Sequence, residues 1–565
     1  MVYALRHSWI LILACHSFAT FVATPPIVNL GYAQYQGTLL QDKVTNATHT
    51  QFLGLRYAAP PTGSNRFRAP APPATTPGIQ QANVQPPECF QATIGNSPTT
   101  PFRVAQKKSA RAVAPETSED CLFLNVHVPG NLGQKRNLPV VVWIHGGGYI
   151  EGSAPSNGGN DLVRESGENV VAVAIQYRLG VFGFLAGQKV KNDGSLNAGL
   201  LDQQFALKWV QQYIGQFGGD PNKVTIWGQS AGAGSVLQHI GQFGGDPNKV
   251  TIWGQSAGAG SVLQHVIANG GMTQPPLFRA AMTSSTFLPS QYMFNDSIPE
   301  TVFNETVSQT KCSSATDAMD CLRKVNVDTL QKANKAVSLR TFFGTFVFVP
   351  VIDGTFITDR PTVLLKERKV NGQIVLSVTN SFEGTTFVNQ RTADTVRVPT
   401  YIAELFPKFT SQQAHAAAAH YAGLGSNIFQ ARAIIGESIL ICPTYFLLRA
   451  FGGLGFKGEF AVPPGTHGME SAFYFNNGAL PAAFPNLKFV NAFSESFQNF
   501  GISLDPNVKT DPTNITPPWK LWNGTNEMLF DRTKAGAPDI RAFKTSDALV
   551  ERCNFWESMG AATSQ

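Results

Sequence analysis

Short, nearly continuous apolar runs alternate along this chain with stretches of helical period. Leu138–Ile144 reads LPVVVWI and Val170–Gln176 reads VVAVAIQ. Both are rich in β-branched residues and too short for core helices, which predicts strands covered on both faces. Val250–Trp253 and Gln373–Val378 carry the same signature. Between Leu200 and Phe217 the period changes, with Leu201, Phe205, Leu207, Trp209, Val210 and Ile214 falling at helical spacing. Leu53–Arg68 starts with alternating apolar residues and breaks at Pro60 and Pro61. Strands alternating with helices predict an α/β fold, a mostly parallel sheet with right-handed crossovers. No linker divides the chain, so residues 24–565 are expected to form a single domain.

The pattern holds one internal repeat. Residues 214–239 recur without a change at 240–265. Repeat folds show several diverged copies, so two identical ones indicate a recent tandem duplication or an error in the gene model, not a solenoid.

The N-terminus changes the compartment. Residues 1–23 read as a signal peptide: Arg6 and His7 give a basic start, Trp9–Ala14 an apolar core, and Ser17, Ala19 and Ala23 small residues for cleavage. The apolar run is shorter than the ~20 residues a membrane span needs, and nothing later is expected to be long or apolar enough to cross a bilayer. Sequons at Asn46, Asn295, Asn304, Asn514 and Asn523 agree with export as glycosylation sites. Of seven cysteines, Cys15 lies in the signal; Cys89, Cys121, Cys312, Cys321, Cys442 and Cys553 remain, an even set suited to disulfides. A net charge of +6 over 565 residues, with Lys107, Lys108 and Arg111 in a polar loop, gives no basic stripe and no reason to expect nucleic acid.

The candidate chemistry lies in and around the repeat. Each copy holds Gly-Gln-Ser-Ala-Gly, at Gly228–Gly232 and Gly254–Gly258. A strand precedes each and a small-residue helix start follows, the context of the G-x-S-x-G nucleophile elbow of α/β-hydrolases. His145-Gly146-Gly147-Gly148 follows the strand ending at Ile144, so its amides lie uncovered where an oxyanion would develop. A serine hydroxyl needs a base. His7 and His16 fall in the signal and His49 and His127 come too early. His239 and His265 end the repeats, His145 belongs to the glycine loop, and His415 and His420 flank an alanine run. His467, on a loop after the serine, fits the order Ser, acid, His. Two acids follow apolar runs in the required interval, Glu383 and Asp353, and position alone leaves both open.

These motifs resemble the type-B carboxylesterase and lipase family, which includes cholinesterases and fungal extracellular esterases and lipases. Ser118-Glu-Asp-Cys121-Leu-Phe-Leu-Asn125, Tyr177–Leu185, Phe243–Pro247 and the opening around Tyr57–Phe67 carry the likeness, together with the glycine loop and the elbow. The resemblance implies an α/β-hydrolase fold and a carboxylic-ester hydrolase working through an acyl-enzyme, without cofactor or metal. It implies Glu383 as the acid and His467 as the base, with Gly147, Gly148 and the alanine after the serine (Ala257 or Ala231) as oxyanion donors. It also implies bridges Cys89–Cys121, Cys312–Cys321 and Cys442–Cys553. Glutamine before the serine and no tryptophan in the first disulfide loop depart from cholinesterases. Phe90–Asp120, rich in Thr, Pro, Ala and basic residues, has little of a greasy lipase lid and favours a soluble small-molecule ester over triacylglycerol. A non-catalytic binding homologue, inactivated by the duplication, is the remaining alternative.

The duplication leaves two candidate nucleophiles. With Ser256 in the role, the extra stretch enters the loop at Phe217–Gly218; with Ser230, it interrupts the helix after the elbow. Loops tolerate insertion better, which favours Ser256 over Ser230. The unused copy is then expected to carry an apolar strand with no place in the sheet.

Overall fold

A computed structural model describes residues 25–42, 45–102, 117–154, 159–165, 168–229, 251–274, 278–474, 480–509 and 511–565. The signal, the Lys107–Arg111 cluster, Ser230 and Ala231 lie outside these residues.

Among the described residues the main sheet has 12 strands. In chain order they are β1 (Thr38–Gln41), β2 (Thr48–Arg56), β3 (Phe123–Pro129), β4 (Leu138–Ile144), β5 (Val171–Ile175), β6 (Gly219–Gln229), β7 (Thr251–Gln255), β8 (Ala280–Ser284), β9 (Ile374–Asn380), β10 (Gly455–Phe460), β11 (Asn526–Arg532) and β12 (Pro538–Lys544). Across the sheet the order is β12-β11-β10-β9-β8-β7-β6-β4-β5-β3-β2-β1. The stretch from β11 to β5 is parallel throughout and the flanks are antiparallel. The predicted mostly parallel sheet is therefore present, with antiparallel strands added at both edges. β5, β7 and β8 are buried at every position, as continuous apolar runs under helices on both faces should be.

The helices that matter for the site are α1 (Ala198–Tyr213), α2 (Ala257–Ile267), α3 (Asn427–Ala450), α4 (Leu487–Ser503) and α5 (Asp547–Ser558). α3 corrects one expectation: it is long and apolar enough to span a membrane. Most of its apolar window is nevertheless buried within the protein, which is the behaviour of a core helix.

The second correction concerns the repeat. The described part of the first copy, residues 214–229, does not loop out. Its strand is β6, intercalated between β4 and β7 and parallel to both. Ile226 pairs with Ile252, Trp227 with Trp253 and Gly228 with Gly254, so the elbow strands of the two copies lie side by side in register. A parallel sheet covered by helices offers backbone pairing to any apolar β-branched segment, and leaving such a strand unpaired would strand its amides.

Motifs read from sequence become buried ion pairs. Glu119 takes a forked hydrogen bond from Arg66, at 2.5 and 2.7 Å. Arg178 reaches Asp202 in the same way, at 2.7 and 2.6 Å, with both side chains almost fully buried. The disulfides Cys89–Cys121, Cys312–Cys321 and Cys442–Cys553 are all formed. The last closes a separation of 111 residues and ties α3 to α5. Closing so long a loop restricts the unfolded chain by roughly 4–5 kcal/mol in the chain-entropy account. The double variant Cys442→Ser/Cys553→Ser is expected to unfold at clearly lower urea. A midpoint unchanged from the wild type would show that the crosslink contributes nothing.

Candidate active site

The second copy forms the elbow. β7 ends at Gln255, and Ser256 turns the chain into α2 with φ 58° and ψ −129°. That is a strained conformation for a residue with a β-carbon, of the kind concentrated at functional sites. A β-carbon on Gly254 would stand 2.3 Å from the backbone of Gly258, so glycine is required there. The Ser256 amide donates to the Ser284 carbonyl at 2.8 Å, tying the turn to β8.

His467 meets this serine. Its Nε2 lies 2.8 Å from Ser256 Oγ and its Nδ1 2.6 Å from Glu383 Oε2. With Nδ1 donating to the carboxylate, Nε2 is left to accept the serine proton. Burial disfavours a charged imidazole, but the adjacent Glu383 carboxylate more than offsets this, and His467 stands above its ordinary pKa. Burial likewise works to raise Glu383. The facing imidazole, with hydrogen bonds from His467, Ser285 Oγ and the Asn380 amide, holds it below the usual glutamate value instead. Those last two donors lie 2.6 and 2.7 Å from Glu383 Oε1.

Asp353, the competing acid, is elsewhere. Its Oδ1 accepts the amides of Thr355, Phe356 and Ile357 and its Oδ2 the Asn197 side chain, the pattern of a turn-stabilising aspartate. His265 is buried against Phe356 and pushed down to about 3 by burial, a neutral core residue.

The glycine loop leaves the end of β4. Gly147 has φ 104°, and a β-carbon there would stand 2.0 Å from the Glu151 carbonyl. The Tyr177-Arg178 motif supports this loop from below: Tyr177 stacks on the His145 ring at 4.4 Å and donates to the His145 carbonyl at 2.9 Å. Above it, the Tyr149 hydroxyl donates to the Ala257 carbonyl at 3.0 Å, linking the loop to the first turn of α2. Yet β6 stands between β4 and β7. One strand spacing is about 4.8 Å, so the root of the glycine loop is set that much further from the elbow than direct pairing would put it.

A largely apolar cavity of about 90 Å³ has Phe184, Phe287, Phe346, Val349, Phe387 and Leu440 among its walls, and Phe387 links it to the histidine. Phe387 rests edge-on against His467, ring centres 5.1 Å apart, and Phe346 packs where a Gly148 β-carbon would be. The Phe90–Asp120 loop is described only at its two ends.

Sequence reasoning passed over Ser285, Asn380 and Glu470. Asn380 had a visible signal, since it ends the strand leading to Glu383; the other two become notable only through burial and contact. Of the sequons, Asn46, Asn295, Asn304 and Asn523 are exposed. Asn514 is 8 % exposed and its amide nitrogen donates to Asn491 and Glu495, so the folded protein offers no free amide there.

Comparison with known proteins follows the same lines. A family model described as "Carboxylesterase family" matches residues 24–239 and again 235–430, one match running through each copy of the repeat. Carboxylesterase patB of Penicillium expansum is 28 % identical over 582 residues, covering 94 % of this chain and 96 % of its own. Secreted lipase 1 of Botryotinia fuckeliana is 32 % identical over 375 residues, 64 % of this chain and 61 % of its own. The crystal structure of EstA from Aspergillus niger superposes with a TM-score of 0.76 at 29 % identity, over 96 % of this chain and 99 % of that one.

Proposed function

The chain belongs to the carboxylesterase family and is a carboxylic-ester hydrolase with the α/β-hydrolase fold; from this premise we propose that Ser256 is its nucleophile, His467 its general base and acid, and Glu383 the carboxylate that orients the imidazole. The observation that carries the proposal is the unbroken relay Ser256–His467–Glu383, at 2.8 and 2.6 Å. Ser256 Oγ attacks the ester carbonyl as its proton passes to His467 Nε2. The amides of Gly147, Gly148 and Ala257 receive the negative charge that develops on the carbonyl oxygen. Collapse expels the alcohol, which takes the proton from His467, and leaves an acyl-serine. Water then repeats the sequence, its proton going to His467 and returning to Ser256. Glu383 stays ionised and stabilises the imidazolium formed in each half. The phenylalanine-walled cavity suits an apolar acyl group.

Export is part of the same reading. Three disulfides favour an oxidising compartment, and four exposed sequons suit glycosylation. The test of the chemistry is an organophosphonate ester. The folded protein is expected to bind one equivalent, with the phosphorus mapping to the peptide of Ser256. Folded protein that takes no label would overturn the catalytic assignment.

One observation favours a second reading, a non-catalytic binding homologue. The strand that delivers the glycine loop does not pair with the strand that delivers the serine. The two readings separate on removal of one repeat copy, treated in the Discussion.

A further inference from the structure

Directly behind His467 lies a second carboxyl group that the reaction above does not use. Glu470 is fully buried, one turn after the histidine. Its Oε2 accepts from Asn380 Nδ2 at 2.6 Å, and the same nitrogen lies 3.3 Å from Glu383 Oε1 and 3.3 Å from Ser285 Oγ. One amide thus joins the two glutamates, and the Asn380 backbone N–H also donates to Glu383. On the other side, Glu470 Oε1 is buried with no partner, as are Gln255 Nε2 and Asn380 Oδ1. Gln255 is the residue before the elbow serine, and its Nε2 lies 3.7 Å from where a Gly468 β-carbon would stand.

We propose that Glu470 is a positioning residue of the hydrolytic centre, a second buried carboxyl that holds Glu383 through the Asn380 amide and faces His467 from behind. The inference rests on the triad reading given above. Two carboxyls this close cannot both ionise freely, and their environments divide them. Burial first, and then the Glu383 charge, push Glu470 up to about 7, while Glu383 is held low. Glu383 therefore stays charged across the working range. Glu470 is neutral in acid and becomes an anion near neutrality, where it favours the charged form of His467. The titratable groups facing Glu470 are Glu383, His467 and Tyr474; Gln255, Ser285 and Asn380 contribute only dipoles.

The test is Glu470→Gln, which keeps the shape and the Asn380 bond and removes the charge. Without the facing anion, the His467 pKa falls. The acidic limb of the kcat/KM profile on p-nitrophenyl butyrate is expected to move to lower pH by about half a unit or more. The plateau above pH 8 is expected to drop several-fold, by a loss in kcat rather than a rise in KM. A residue that only fills space would lower Tm and leave the limb in place. An unmoved limb in a variant that still takes one equivalent of organophosphonate overturns the inference and leaves the triad standing. Failure of the wild type to take label removes the triad reading itself. Should the variant not accumulate folded, the wild type decides: the low-field Nδ1 proton of His467 is expected to titrate in two coupled steps, and a single step would overturn the proposal.

Discussion

Ser256→Ala is expected to lower kcat on p-nitrophenyl butyrate by about 10⁶-fold, the loss typical of removing a nucleophile that works as a unit with its base. Ser230→Ala is expected to leave it within about twofold, the range of an ordinary substitution away from the chemistry. Among the described residues Ser256 Oγ lies within hydrogen-bond reach of His467, and His467 is fixed in turn by a carboxylate receiving three further protein contacts. Moving the reaction to the first copy would require that support to shift across a strand. Equal losses in the two variants, or the larger loss at Ser230, would transfer the nucleophile to the first copy.

Removing one copy of the repeat should have a smaller effect in the opposite direction. Deleting 214–239 or 240–265 yields the same polypeptide, since the copies are identical. The shortened chain has one elbow strand, and β4 then pairs directly with it. The glycine loop moves inward by about 4.8 Å. An oxyanion donor out of place forfeits about 10²–10³ in kcat, so the shortened enzyme is expected to exceed the full chain by about 10²-fold. Equal rates would mean that the loop spans the extra strand without cost. A full chain with no activity beside an active shortened one would favour the binding reading for the protein as it stands.

Much of this was legible from residue order. Leu138–Ile144 was predicted at its observed bounds, because seven apolar and β-branched positions between turn residues admit one reading. Trp209 and Val210 fell on the buried face of the helix their spacing implied. The serine and histidine followed from the elbow and from elimination. Glu383 and Asp353 did not separate by position, because both end apolar runs. What separates them is which one faces His467, a matter of tertiary placement. The repeat departs from expectation for a related reason: tolerance of insertion favours a loop, whereas the sheet accepts an apolar strand wherever one can pair. Glu470 was invisible because its meaning comes from burial beside another acid, and no spacing announces that.

The doubled strand has a consequence for the chain before it is folded. β6 and β7 pair in register, like residue opposite like, at the spacing of the sheet. Parallel, in-register stacking of identical segments is also how separate molecules add to a growing fibril. The chain therefore carries a template and its complement in one molecule, and pairing within it competes with pairing between neighbours. At high concentration a crowded nascent population would meet that competition first, long before any ester reached the finished enzyme.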